Sequence, residues 1–282
     1  MITHDQINHY RRKTFRYNCP IYSLEEAIEF VNERGFIFFW PIKELLLPSL
    51  WVAVAGDRPV PNTHDDPAHI TWRWKDAMLS EKVWYYAKIL RKKATLISLE
   101  LAPYFYALTE NYGDIENDHL IQYHQGKITQ EAKAVYEALL HHGALDTLRL
   151  RKEANLSSPR NDARFNKALT DLQADFKILP VGVAEVGAWR YAFIYDLTAR
   201  QFPSIIEKAR WISEEKAHAT ILLTYLTSVG AATFQHIHKV FLWERSWIIK
   251  TLERLINQKQ IVVEKLAGQD EKWYCVPQII DK

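Results

Sequence analysis

Along the second half of the chain, apolar residues recur first at helical and then at strand spacing, and they do so twice. Ala132, Val135, Tyr136, Leu139 and Leu140 mark one face of a helix that follows Gln130 and stops at Gly143, a natural C-terminal breaker. Asp146 is placed to cap a second short helix through Leu148 and Leu150 to Ala154. The loop LSSPRND follows, and Phe165, Leu169 and Leu172 predict a third helix. Residues 176–186 and 189–197, joined through Gly187, alternate as a hairpin.

The same order returns downstream. Ile221, Leu222, Tyr225 and Leu226 lead to Gly230, Thr233 caps a helix through Ile237 and Val240, and Ile248, Leu252 and Leu255 predict the third. Residues 261–264 and 272–276 then flank a turn at Gly268. Equivalent third-helix and strand positions lie 83 residues apart and the two glycines 87, so a loop four residues longer in the first copy reconciles them. Three helices and a hairpin form the order of a winged helix-turn-helix, and its recurrence predicts a tandem duplication.

The first part of the chain carries no such period. Ser23 and Glu26 form a capping box ahead of Ala27, Ile28, Phe30 and Val31, which predicts a helix over residues 24–33 ending at Gly35. An aromatic run, a Pro- and Asp-rich loop at 57–67, a Trp-rich helix or turn at 70–79 and strands or short helices over 83–108 follow. The expected class is α+β, helix-rich, with tandem winged helix-turn-helix units behind a mixed N-terminal domain. The expected division is 1–127 for that domain, itself a candidate degenerate winged helix, then 128–203 and 204–282 for the winged units.

Composition narrows the picture by exclusion. The 282 residues are 48% hydrophobic and 25% charged, an ordinary globular make-up that excludes disordered and fibrous classes. Cys19 and Cys275 stand far apart with no zinc spacing, so neither a disulfide framework nor a structural metal is expected, and no cofactor motif occurs. The polar, basic start and the lack of a long apolar run predict a cytoplasmic protein that does not enter the membrane.

With 36 Lys plus Arg against 34 Asp plus Glu, the whole-chain charge says nothing about polyanions, whereas its distribution does. Over 141–167, six cations (Arg149, Arg151, Lys152, Arg160, Arg164, Lys167) face three acids, and over 234–260, five (Lys239, Arg245, Lys250, Arg254, Lys259) face two. A winged helix reads DNA with its third helix in the major groove and its hairpin on the backbone, so this excess predicts double-stranded DNA as a partner. Solvated helix faces or a protein-binding module are the alternative reading. Arg11, Arg12, Lys13 and Arg16 form a further basic cluster, either an arm against phosphates or a solvated terminus.

Other candidates lie in the N-terminal part. Trp72, Arg73 and Trp74, with Lys75, combine rings and cations suited to unstacked bases, although residues two apart in such a run can divide between core and surface. His64, Asp65, Asp66 and His69 carry metal-capable atoms in a loop where such residues also serve solubility, and no metal site is assigned.

The segment YDLTARQFP at 195–203, with the Gly-Ala pairs at Gly143 and Gly230, resembles the tandem winged-helix family of bacterial DNA glycosylases that includes AlkZ and YcaQ. The resemblance implies a C-shaped set of winged helices that holds duplex DNA and removes bulky alkylated or crosslinked bases. It also implies a Gln-x-Gln or Gln-x-Asp motif after a helix and a glycine, to hold the attacking water. Here the slot after Gly35 holds Phe38, Phe39 and Trp40, and Glu44 is the nearest acid. Base removal needs a group that stabilises an oxocarbenium-like sugar or positions water, normally a carboxylate or amide. Two functions remain open: a repair protein that recognises damaged or distorted duplex DNA, with Trp40, Trp72, Arg73 and Trp74 as lesion contacts, either excising the base with a different catalytic group, for which Glu44 is the candidate, or binding without cutting; or a non-enzymatic winged-helix transcriptional regulator or interaction module.

Overall fold

The computed structural model describes residues 1–61, 63, 65–187 and 190–280. After an N-terminal helix α1 (His4–Thr14), the chain forms α2 (Leu24–Arg34), β1 (Phe36–Phe38), α3 (Leu50–Ala55), α4 (Ile70–Glu81), β2 (Tyr85–Lys88) and β3 (Ala94–Ile97). Two connecting helices, α5 (Ala102–Tyr106) and α6 (Asp118–His124), lead to α7 (Gln130–His142), β4 (Leu145–Asp146), α8 (Thr147–Glu153), α9 (Asp162–Ala174), β5 (Ile178–Ala184) and β6 (Ala192–Leu197). Two more, α10 (Thr198–Gln201) and α11 (Pro203–Ala209), precede α12 (Glu214–Val229), β7 (Ala231–Thr233), α13 (Phe234–Phe241), α14 (Arg245–Asn257), β8 (Val262–Lys265) and β9 (Lys272–Cys275).

The three sheets have one topology. Each is three-stranded and antiparallel with its last strand in the middle: β1-β3-β2, β4-β6-β5 and β7-β9-β8. Helix, strand, helix, helix, hairpin therefore occurs three times, and the N-terminal part is a winged unit in full. A polar side chain caps the second helix in every copy: Ser49 accepts from Val52 N, Asp146 from Leu148 and Arg149 N, and Thr233 from His236 N. Such a cap stabilises a helix by about 1 kcal/mol.

A glycine ends the first helix of every copy, Gly35, Gly143 and Gly230, with φ of 74°, 76° and 78°. Two of them are also points of close approach. A Cβ on Gly35 would lie 2.6 Å from Thr224 Cγ2 of α12, and one on Gly230 would lie 2.6 Å from the Tyr10 ring of α1. Only glycine supplies both the left-handed φ and the missing atom.

The units share their interior. One cluster runs from Phe36, Phe38 and Tyr85 through Phe105 and Phe176 to Tyr225, Ile237 and Leu252, while the first and second units keep smaller cores of their own. Tyr85 stacks on Phe176 at 4.6 Å, and its hydroxyl meets Thr198 Oγ1 at 2.9 Å. Packing between the first two units is reciprocal: α4 lies on β5 of the second wing, and α9 lies on the turn at 90–92 and β2 of the first. Lys88 N donates to Gln173 Oε1 at 3.2 Å, and Arg91 Nη1 of the same turn reaches the Lys239 carbonyl at 2.5 Å.

Two expectations change here. The basic cluster at 11–16 is not a free arm, because α1 docks on the third unit: Arg11 donates to the carbonyls of Val229 (3.1 Å) and Ala231 (2.9 Å), and Ile2 bridges Leu266. Residues 1–14 therefore pack with the C-terminal unit. At α2, Ser23 caps as expected, but the Glu26 carboxylate accepts from Tyr22 N at 2.7 Å instead of closing the box on Ser23. Among the described residues no helix is long and apolar enough to cross a membrane.

Candidate nucleic-acid interface

On the second unit, Arg149 and Lys152 lie exposed on α8, and Arg160 lies exposed in the turn before α9; none has an ion-pair partner among the described residues. Arg151 pairs with Asp162 and lies over the Phe165 ring at 4.5 Å. On α9, Arg164 reaches Glu131 at 3.5 Å, and Lys167 pairs with Asp171, which also takes Lys92 of the first wing at 2.5 Å. The expectation of an open third helix needs correcting: Asp171 and Gln173 hold the C-terminal half of α9 against the first unit, and only its first two turns remain exposed. Half-used charges of this kind are poor phosphate anchors compared with Arg149, Lys152 and Arg160.

On the third unit, Lys250 (2.5 Å) and Arg254 (3.4 Å) share Glu215, whose carboxyl the Lys250 hydrogen bond holds below its usual range. Arg245 lies over the Phe234 ring at 4.7 Å, and Lys239 faces Glu44 at 3.9 Å. Glu44 is thus two-thirds exposed at a surface ion pair, with a φ of 66°. It lines none of the recesses described below.

Of the aromatic slot, Phe38 and Phe39 are core residues, 0% and 1% exposed. Phe38 pairs with Thr95 in the sheet, and Phe39 is met edge-on by Trp40, Trp72 and Tyr86. Trp40 is only partly covered and lies against Trp51 at 4.7 Å. The Trp-rich run divides as helical geometry requires, since positions two apart on a helix face nearly opposite ways. Trp72 is 38% exposed, whereas Trp74 is 8% exposed in the first unit's core. Trp74 therefore has no face to offer a base, and that part of the expected lesion contact is withdrawn; Arg73 is exposed beside Trp72.

Trp40, His69 and Trp72, with Val60, Pro61, Thr63 and Tyr191, enclose a recess of about 570 Å³. Tyr191 comes from the second unit's wing and also lines a neighbouring recess of about 590 Å³ with Leu148 and Arg151. The two hollows therefore meet at the seam between units, with exposed cations on the α8 side and exposed rings on the α4 side. Asp66 is engaged nearby, pairing with Arg58 at 2.7 Å and capping Ala68, while His64 lies outside the described residues.

Lys75 fixes this seam. It is 0% exposed, with Nζ 4.4 Å from the Trp72 ring centroid, 4.5 Å from Phe193 and 2.7 Å from Asp76. It donates to the Tyr191 hydroxyl at 3.0 Å, and that hydroxyl donates to Asp76 at 2.9 Å. Burial lowers the Lys75 pKa, against the opposing pull of Asp76, and raises that of Tyr191, with the Asp76 charge adding to the rise. A buried cation this closely matched ties α4 of one unit to the wing of the next, so the recess is held by a network and not by contact alone. Sequence reading did not find Tyr191 or the buried role of Lys75, because both depend on a contact between residues 116 positions apart.

Three tandem winged helix-turn-helix units, with an aromatic recess where the first two meet, define a class of protein. The family model for AlkZ-related proteins matches residues 21–242, and the chain belongs to that family. In fold, 98% of the chain matches 70% of the Streptomyces sahachiroi DNA glycosylase AlkZ, with a TM-score of 0.62 and 14% identity. No match to a curated protein was found.

Proposed function

We propose that the protein binds duplex DNA at damaged or distorted positions, seating an unstacked base against Trp72 and Trp40 while Arg73, Arg149, Lys152 and Arg160 hold phosphates. The observation that carries this reading is the ring-lined recess at the seam, beside which α8 lines a second hollow through Leu148 and Arg151 and carries Arg149 and Lys152, exposed and without an ion-pair partner among the described residues. Stacking on an aromatic side chain is worth roughly 1–3 kcal/mol per base and tolerates any base or adduct, because every base has a π-face. The solved fold neighbour is a DNA glycosylase by name, which agrees with a DNA partner.

The same geometry argues against base excision by water-holding amides. Phe38 and Phe39 are buried hydrocarbons, and the described residues lining the recess offer hydroxyls and an imidazole but no carboxylate or amide. Incubation with an alkylated duplex should therefore leave no abasic sites above the enzyme-free background. Turnover abolished by His69→Ala would instead assign an imidazole-driven reaction to the recess.

Recognition itself is tested by titrating a 20-base-pair duplex, intact or carrying a single unpaired base, and reading fluorescence anisotropy. Unstacking costs least at an unpaired base, so the bulged duplex should bind about tenfold more tightly, which is near the lower end of the stacking range. Equal affinity for the two would leave the regulator or interaction-module reading as the better one.

A further inference from the structure

We propose that a recess under the N-terminal helix, remote in construction from the aromatic seam, is a binding site for the phosphate or carboxylate group of a small organic anion. It has a volume of about 590 Å³ and lies between one face of α1, the last residue of α2, the end of α12 and the C-terminal turn. Asp5, His9, Tyr10 and Lys13 line it from α1, Arg34 from α2 and Ile279 from the turn.

Arg34 is the reason to expect an anion. Its side chain is 15% exposed, and its Nε and Nη1 are enclosed with no hydrogen-bond acceptor among the described residues. The nearest acid, Glu33, lies 3.8 Å from Nη2, beyond hydrogen-bond reach, and also faces Arg16 at 3.5 Å. One partly exposed carboxylate thus serves two guanidinium groups. A guanidinium has five donors, and an enclosed charge without acceptors is among the more costly states a folded chain can hold.

The residues around the recess add to this excess. Lys13 is exposed and has no ion-pair partner among the described residues, the imidazole of His9 stands one turn earlier on the same helix face, and Asp5 is the one acid in the lining. Tyr10 is held in place by its hydroxyl, which donates to the Thr227 carbonyl at 2.8 Å, and its ring covers Gly230. The site therefore has a cationic floor and side, with the Tyr10 ring and Ile279 as apolar walls. An oxyanion carried on a compact organic body meets both features, and it balances the Arg34 charge through space.

The test is a thermal melt of the full chain with inorganic phosphate or citrate, each matched by sodium chloride at equal ionic strength. Because an anion that binds only the folded state raises Tm by mass action, a saturable rise of about 2–6 °C over the chloride control is expected. Arg34→Met, which keeps an apolar stem and removes the unpaired charge, should melt no lower than wild type without anion and should show no rise with it. Lys13→Ala, at an exposed position, should fold normally and need several-fold more anion for the same rise. A wild-type Tm that follows chloride alone, or an equal rise in both variants, overturns the proposal. Because neither ligand is DNA, this outcome is independent of the duplex titrations.

Discussion

Replacing Phe39 by alanine should lower the free energy of unfolding by about 3–5 kcal/mol, the usual loss for an enclosed aromatic ring. Phe39 is 1% exposed and stands among Trp40, Trp72 and Tyr86, so truncation leaves a void that the surrounding rings cannot close without leaving their edge-on contacts. Chemical denaturation would measure the loss, and Trp72→Ala, which removes a partly exposed ring, should cost distinctly less. A loss below about 1 kcal/mol at Phe39 would mean that the residue is not the core member its burial makes it. In that case the aromatic slot after Gly35 would be open to a functional reading again. As it stands, Phe38 and Phe39 of the slot that the family resemblance assigns to water-holding amides belong here to the hydrophobic interior, and Trp40 lines the recess.

The second large effect concerns the grip on phosphates. Changing Arg149, Lys152 and Arg160 together to alanine should weaken duplex binding by at least an order of magnitude at low salt. The same change should reduce the slope of log affinity against log salt by about 3, close to one unit for each phosphate that is no longer neutralised. Arg164 and Lys250 are expected to matter less, because Glu131 and Glu215 already engage them. Duplex titrations at about 50 and 200 mM salt, a range over which such binding falls steeply, read both quantities. An unchanged slope in the triple variant would remove α8 and the turn at 159–161 from the interface.

Much of this architecture can be read from the chain. The second and third units are visible as an 83-residue repeat because their loops are nearly equal in length and their helices strongly amphipathic. The first copy is hidden for a physical reason: residues 39–49 separate β1 from α3, and the run FIFFW buries both faces, so no period survives. The opening strands β4 and β7, of two and three residues, are too short to alternate.

At the candidate interface, local chemistry was legible and long-range pairing was not. The opposed directions of Trp72 and Trp74 follow from helical geometry alone. Charge counts marked the stretch 141–167 as basic, but they could not reveal that Asp171 and Gln173 dock half of α9 on the first wing. They could not reveal either that Tyr191 would cross the seam to meet Lys75 and Asp76, since those pairings are set by how whole units pack.

Trp72 is where recognition of distorted DNA is most exposed to test. Anisotropy titrations of wild type and Trp72→Ala with intact and single-base-bulged duplex separate stacking from phosphate attraction, because the cations remain in place. Wild type is expected to prefer the bulged duplex about tenfold, and Trp72→Ala to lose most of this preference while keeping its affinity for intact duplex, as removal of one stacking platform should do. A variant that retains the full preference, or a wild type that has none, would contradict that expectation.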